Sequence, residues 1–111
     1  MTANEIFNTA CLICLRNEDE FAEQGTNLKK KKLLIVNLAL REFNLLTVTD
    51  IDEDVKTDDC KLDAVCYMAA RVIASYFNDI VKLTEITEIY NAKRAKALSS
   101  ITVKTDALPC V

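Results

Sequence analysis

Apolar residues recur along this chain at intervals of three and four, in four blocks, and each block reads as one face of an α-helix. In the first, Ala3, Phe7, Ala10 and Cys14 share a face that Ile6, Cys11 and Ile13 widen. Thr2 and Glu5 precede it at the spacing of a capping box, so the helix should start there and run to about Arg16. Residues 17–27 are polar and acidic and hold the one glycine, which predicts a loop with a short helical turn near Phe21 and Ala22. The second block, residues 28–43, carries Leu33, Val36, Leu40 and Phe43 on one face and Leu34 and Leu38 in a second row. Apolar positions on that much of the circumference predict a helix covered on more than one side, with Asn44 as its stop.

The third block starts at Thr57, Asp58 or Asp59, all good N-caps, and its acidic start suits the helix dipole. Leu62, Val65, Ala69, Val72, Tyr76 and Ile80 follow helical spacing, flanked by Cys66, Ile73 and Phe77. The small residues Ala69, Ala70, Ala74 and Ser75 invite close approach of a neighbouring helix. A fourth helix, with Thr84 as its expected cap, should turn Ile86, Ile89, Tyr90, Ala97 and Leu98 inward and Glu85, Glu88, Lys93, Arg94 and Lys96 outward. Beyond it the period drops to two: Ile101, Thr102, Val103, Lys104 and Thr105 alternate apolar and polar. A lone strand has no partner in a bundle, so this segment reads as a tail or as an arm that pairs with another chain. The expected fold is therefore all-α: a small bundle of about four helices over residues 1–100, with an extended C-terminal arm over residues 101–111.

Composition supports that reading. One glycine and one proline in 111 residues leave too few turn residues for a sandwich or barrel. The length fits one domain with a core of its own. No apolar run reaches membrane-span length; residues 33–40 are too short and are interrupted by Asn37. The five cysteines cannot all pair, and with no secretion signal the simpler expectation is reduced thiols in a cytoplasmic compartment. Net charge is −3, unlike a dedicated duplex reader. The charge is polarised, however. Lys29, Lys30, Lys31 and Lys32 form a positive block, and Asp50, Asp52, Glu53, Asp54, Asp58 and Asp59 a negative one. Such poles suit head-to-tail stacking on a second copy or a partner; the blander reading is two solvated patches.

Candidate chemistry is sparse. With no histidine, the commonest general base and most zinc sites are missing. One glycine cannot make a phosphate-binding loop. Cys11 and Cys14 have the spacing of half a metal site or a redox pair, but no second such pair exists and both fall on or beside the buried stripe. Asp50, Asp52 and Asp54 copy the start of a calcium loop, yet Val55 stands where glycine is needed and Lys61 where the bidentate glutamate is needed. The four lysines offer sequence-blind attraction for a polyanion, with no aromatic residues interleaved among them. No enzyme, metal or cofactor is expected.

Residues 35–43 (Ile-Val-Asn-Leu-Ala-Leu-Arg-Glu-Phe), residues 60–79 and the run Glu88-Ile89-Tyr90-Asn91 resemble the head–tail connector, or head completion, proteins of long-tailed bacteriophages and prophages. The family's pattern there is an Asn-x-Ala-Leu-Arg-Glu helix, an acidic connection, a Tyr-Gly-x-Ala helix ending near Ser-x-Phe-Asn, and a short aromatic helix. The likeness covers residues 3–105, with Met68 standing where the family's glycine would be. It implies a homo-oligomeric ring at the virion's head–tail interface, assembled in the bacterial cytoplasm. The ring would sit beneath the portal, extend the DNA channel and dock a second connector or the tail. It also implies that Ile101, Thr102, Val103, Lys104, Thr105 and Leu108 serve as an assembly arm. Lys29, Lys30, Lys31 and Lys32 would be partner or channel contacts past which DNA moves without specific binding. No catalytic residue is implied. The reading from composition alone is a cytoplasmic helical adaptor or regulatory module that binds one protein partner.

Overall fold

The computed structural model describes residues 1–102, with side chains to residue 99. It is all-helical: α1 (Ala3–Ile13), α2 (Gly25–Glu42), α3 (Asp59–Tyr76) and α4 (Ile80–Thr102), with one 3₁₀ turn at Glu18–Glu20. Among the described residues there is no strand, only an isolated bridge between Thr2 and Asp54. Helix α3 is the axle of the fold: α1, α2 and α4 all pack on it, and α1 also touches α2. The small side chains read as permitting close approach explain this, since Ala69, Ala70 and Ala74 are all buried there, joined by Ala64. Ser75, read with them, is exposed.

Helices α1, α3 and α4 each start on a side-chain cap. At α1 the capping box forms: the Glu5 N–H donates to Thr2 Oγ1 at 3.1 Å and the Thr2 N–H to Glu5 Oε1 at 2.7 Å. The donation from the Thr2 N–H, with the Thr2 hydroxyl adding to it, holds the Glu5 carboxyl below its ordinary range. Two more N–H groups of α1's first turn, on Ala3 and Asn4, donate to the Glu53 and Ile51 carbonyls. The acidic connection thus closes over the start of α1 as well as leading to α3, where Asp58 is the cap and accepts from the Lys61 N–H at 2.9 Å.

Helix ends share one device. After α1, α2 and α3 the chain turns through left-handed residues Leu15, Asn44 and Asn78, with φ of 56°, 56° and 55°. In each case the next N–H reaches back five residues: Arg16 to Cys11, Leu45 to Leu40, Asp79 to Ala74. Asparagine tolerates this geometry; leucine does so at a cost of about 1–2 kcal/mol. A chain with one glycine has little else to close helices with, and that glycine, Gly25 at φ 59°, opens α2.

The turn at Asn78 corrects the expected layout. The helical spacing from Tyr76 to Ile80 predicts one continuous face, but α3 ends at Tyr76 and Ile80 starts α4. Tyr76 and Ile80 are both exposed. Helix α4 therefore begins before Thr84, whose hydroxyl donates to the Ile80 carbonyl within the helix, while Asp79 Oδ1 accepts from the Lys82 N–H at the true start. Ile86, Tyr90 and Ala97 are buried as expected, but Ile89 and Leu98 are exposed. Helix α1 stops at Ile13 rather than Arg16, and α2 begins at Gly25, three residues early. Helix α4 continues through Ile101 and Thr102, where the alternation predicts extended chain; the rest of the expected arm, Val103, Lys104, Thr105 and Leu108, lies outside the described residues.

The core joins Ile6, Phe7 and Ala10 of α1, Val36 and Leu40 of α2, and Val65 and Ile73 of α3. Burying each of the larger of these side chains contributes roughly 1.5–3 kcal/mol. The second apolar row of α2 is not covered, contrary to the pattern's prediction: Leu34 and Leu38 are 57% and 40% exposed.

Candidate interaction surface

The four lysines do not act as one patch. On a helix, four consecutive residues point to different sides. Lys29 and Lys30 face solvent and make no ion pair among the described residues. Lys31 is half-buried; its ammonium lies 3.2 Å from Glu23 and donates to the Tyr76 hydroxyl at 3.2 Å. Lys32 is buried: its ammonium pairs with Glu18 at 2.6 Å, donates to Asn4 Oδ1 at 3.1 Å and stands 5.3 Å from the Phe7 ring.

Those contacts belong to an aromatic–cation cluster drawn from distant parts of the sequence. Phe21 stacks on Tyr76 at 5.1 Å and meets Phe7 and Phe77 at 5.5 and 5.0 Å. Lys31 lies 4.5 Å from the Tyr76 ring and the Arg16 guanidinium 4.4 Å from the Phe77 ring. Sequence reading finds no aromatics interleaved with the lysines; the fold supplies Phe7, Phe21 and Tyr76 from other elements.

Beside this cluster runs a groove of about 460 Å³. Its floor is one side of α3, with Met68, Arg71, Val72, Ser75 and Tyr76, and Leu83 of α4 walls it. Leu34 and Leu38 sit three and seven residues past Lys31 and so lie on the side of α2 that reaches Tyr76. At the groove's far end α2 and α4 meet, where Phe43 stands edge-on to Tyr90 at 6.3 Å. Arg71 bridges to α4 by donating to Thr87 Oγ1 at 3.2 Å, with its guanidinium 4.8 Å from the Tyr90 ring. The Tyr90 hydroxyl is buried and, among the described residues, has no hydrogen-bond partner; Arg94 lies near it but not in hydrogen-bonding geometry. Burial pushes that phenol's pKa up.

The acidic segment lies past the Phe43 end of α2. Asn37 pins it with two hydrogen bonds of 2.9 Å, its amide donating to the Val48 carbonyl and its carbonyl oxygen accepting from the Val48 N–H. Leu46, held between Phe43 and the buried Val48, is 91% exposed. Asp50, Asp52 and Asp54 do not converge on a common point. Asp50 Oδ1 accepts from the Asp52 N–H, and Asp54 pairs with the α-amino group of Met1 at 2.8 Å. Among the described residues no three potential ligands gather as a metal site.

Cys11, Cys14 and Cys66 are free, buried thiols. Burial pushes them up to about 12, 11 and 12, so each stays protonated at neutral pH. The Cys14 thiol donates to the Ala70 carbonyl at 3.0 Å, which ties α1 to α3. No helix among the described residues is long and apolar enough to cross a membrane. Compared with known proteins, the chain matches no family model, no curated protein and no solved structure.

Proposed function

We propose that this protein is a non-enzymatic assembly subunit: a connector that forms a homo-oligomeric ring between a phage portal and the tail or a second connector, lining part of the channel through which DNA passes. One observation carries the reading. An open apolar groove lies between α3 and Leu83 of α4, with the exposed Leu34 and Leu38 of α2 nearby, while exposed Lys29 and Lys30 lie in the first turns of α2 and the exposed carboxylates of the acidic segment follow its other end. A surface of that kind suits contact between protein subunits more than chemistry. The buried, protonated thiols and the dispersed carboxylates of the acidic segment accord with it. The likeness of residues 35–43, 60–79 and 88–91 to connector proteins supplies the specific setting, the virion's head–tail interface. Lys29 and Lys30 then become the channel or partner contacts of the basic block. Residues 101–108 keep the role of an assembly arm as part of the proposal.

The alternative is a helical adaptor that binds one protein partner through the same groove, and stoichiometry separates the two. Light scattering across concentration, with negative-stain images of the same samples, should show closed rings with a central hole. A chain that remains monomeric alone and with a portal protein, yet captures one other partner one to one, would move the assignment to the adaptor.

A further inference from the structure

We infer that the groove along α3 is filled by the Leu46 loop of a second copy of this chain, so that copies join head to tail. This rests on the ring reading and names its interface.

The groove side is apolar and, where charged, basic. Met68, Val72 and Leu83 give the groove its apolar surface and Arg71 its charge, and by helical spacing the exposed Lys30, Leu34 and Leu38 of α2 stand beside it on the side that reaches Tyr76. The loop side is the complement. Leu46 is the most exposed large apolar residue among those described, and Asp50, Asp52 and Glu53 follow it without cation partners among the described residues. Opposite charge on the two faces steers encounter and fixes register, while the leucines supply burial. The loop is also held ready: Asn37 clamps Val48, and Asn44 closes α2 just before Leu46. A segment already ordered loses less freedom on docking.

The contact has to be intermolecular. Leu46 lies past the Phe43–Tyr90 contact and is 91% exposed, outside the groove of its own chain, while Leu38 and Leu34 lie about 7.5 and 13.5 Å back along α2 from Phe43 at 1.5 Å per residue. Clamped where it is, the loop cannot turn back into its own groove. Two different surfaces meeting in this way make a heterologous interface, which closes into a ring or continues as a filament, depending on the rotation between copies.

The test separates the two faces. One chain carries Leu46→Asp and Asp52→Lys and keeps the groove; the other carries Lys30→Glu, Leu34→Glu and Leu38→Glu and keeps the loop. All five side chains are exposed, so both chains should retain their helical circular dichroism. Should the triple variant lose it, Lys29→Glu with Lys30→Glu replaces it. Each chain alone should sediment as a monomer, and an equimolar mixture should give a species of twice the chain mass that weakens as salt rises. A mixture that stays monomeric overturns the inference. Wild-type rings beside a monomeric mixture would leave the ring reading intact and remove this interface. A dimer in the mixture beside open wild-type filaments would keep the interface and remove the ring.

Discussion

Helices α1 and α4 differ in how completely they use their apolar residues. Within its 11 residues α1 buries Ala3, Ile6, Phe7, Ala10 and Cys11, and its first turn is closed by Thr2, Glu5 and the acidic connection. Helix α4 is twice as long, yet among its described side chains only Ile86, Tyr90 and Ala97 are buried, while Ile80, Val81, Ile89 and Leu98 are exposed. The one is spent on the fold of this chain, with Leu12 its one exposed large apolar side chain. The other is half-used, and its spare apolar surface is available to something else. If the protein assembles as proposed, stability and assembly would be divided between these elements, and substitutions should sort by helix rather than by hydrophobicity.

The largest effect should come from Phe7→Ala. It removes a ring with no exposed surface that touches Phe21, and should cost about 3–5 kcal/mol in urea unfolding. Asn37→Ala should cost about 2 kcal/mol, since it strands both backbone groups of Val48 that the amide satisfies; it should also free Leu46 and so weaken association beyond its effect on stability. Leu15→Gly should raise stability by about 1 kcal/mol, because the left-handed turn stays and the strain of a β-carbon goes. A gain in thermal midpoint would identify the end of α1 as its one weak point; a loss would mean the leucine packs usefully despite its exposure.

A smaller contrast lies in pH. Backbone N–H groups of Thr2 and Asn17 hold Glu5 and Glu20 below their ordinary 4.5, with Arg16 adding to the effect at Glu20. A depressed carboxyl contributes stability that is complete above its unfolded value and is lost as pH falls through the folded one. The urea midpoint should therefore decline below about pH 4.5, and the decline should flatten in Glu5→Gln/Glu20→Gln. The smallest effect should be Ile80→Lys with Ile89→Lys on α4, within about 0.5 kcal/mol of wild type, because both side chains already face water. A large loss there would erase the contrast, since α4 would then hold the fold together as firmly as α1 does.

The fold was most legible where two independent signals agreed. At α1 the capping box and the stripe of Phe7, Ala10 and Cys14 pointed the same way, and only the last turn was overextended. At the α3–α4 corner they disagreed. The spacing from Val72 through Tyr76 to Ile80 continued across a break that depends on Asn78 entering a left-handed conformation. Asn78-Asp79 is a stop and a cap in sequence, but periodicity outweighed it. Periodicity also cannot say whether an apolar row is covered, which is why Leu34 and Leu38 read as core. The surface was less legible still. Glu18, Glu23, Phe7 and Tyr76 come to the lysines from other elements, and nothing in a run of four lysines tells which two will turn inward. Leu46 gave no signal at all, since one leucine in a polar connection has no period.

The inward turn of Lys31 and Lys32 reaches beyond packing. A run of four lysines would be expected to release four condensed counterions from a polyanion laid across it. With one ammonium held by Glu23 and another by Glu18, only Lys29 and Lys30 remain to do so. For duplex DNA the logarithm of the association constant should then fall against the logarithm of salt concentration with a slope of about −1.8 rather than −3.6. Two such contacts would hold a polyanion only weakly and briefly, which is what the proposed channel would need of its wall.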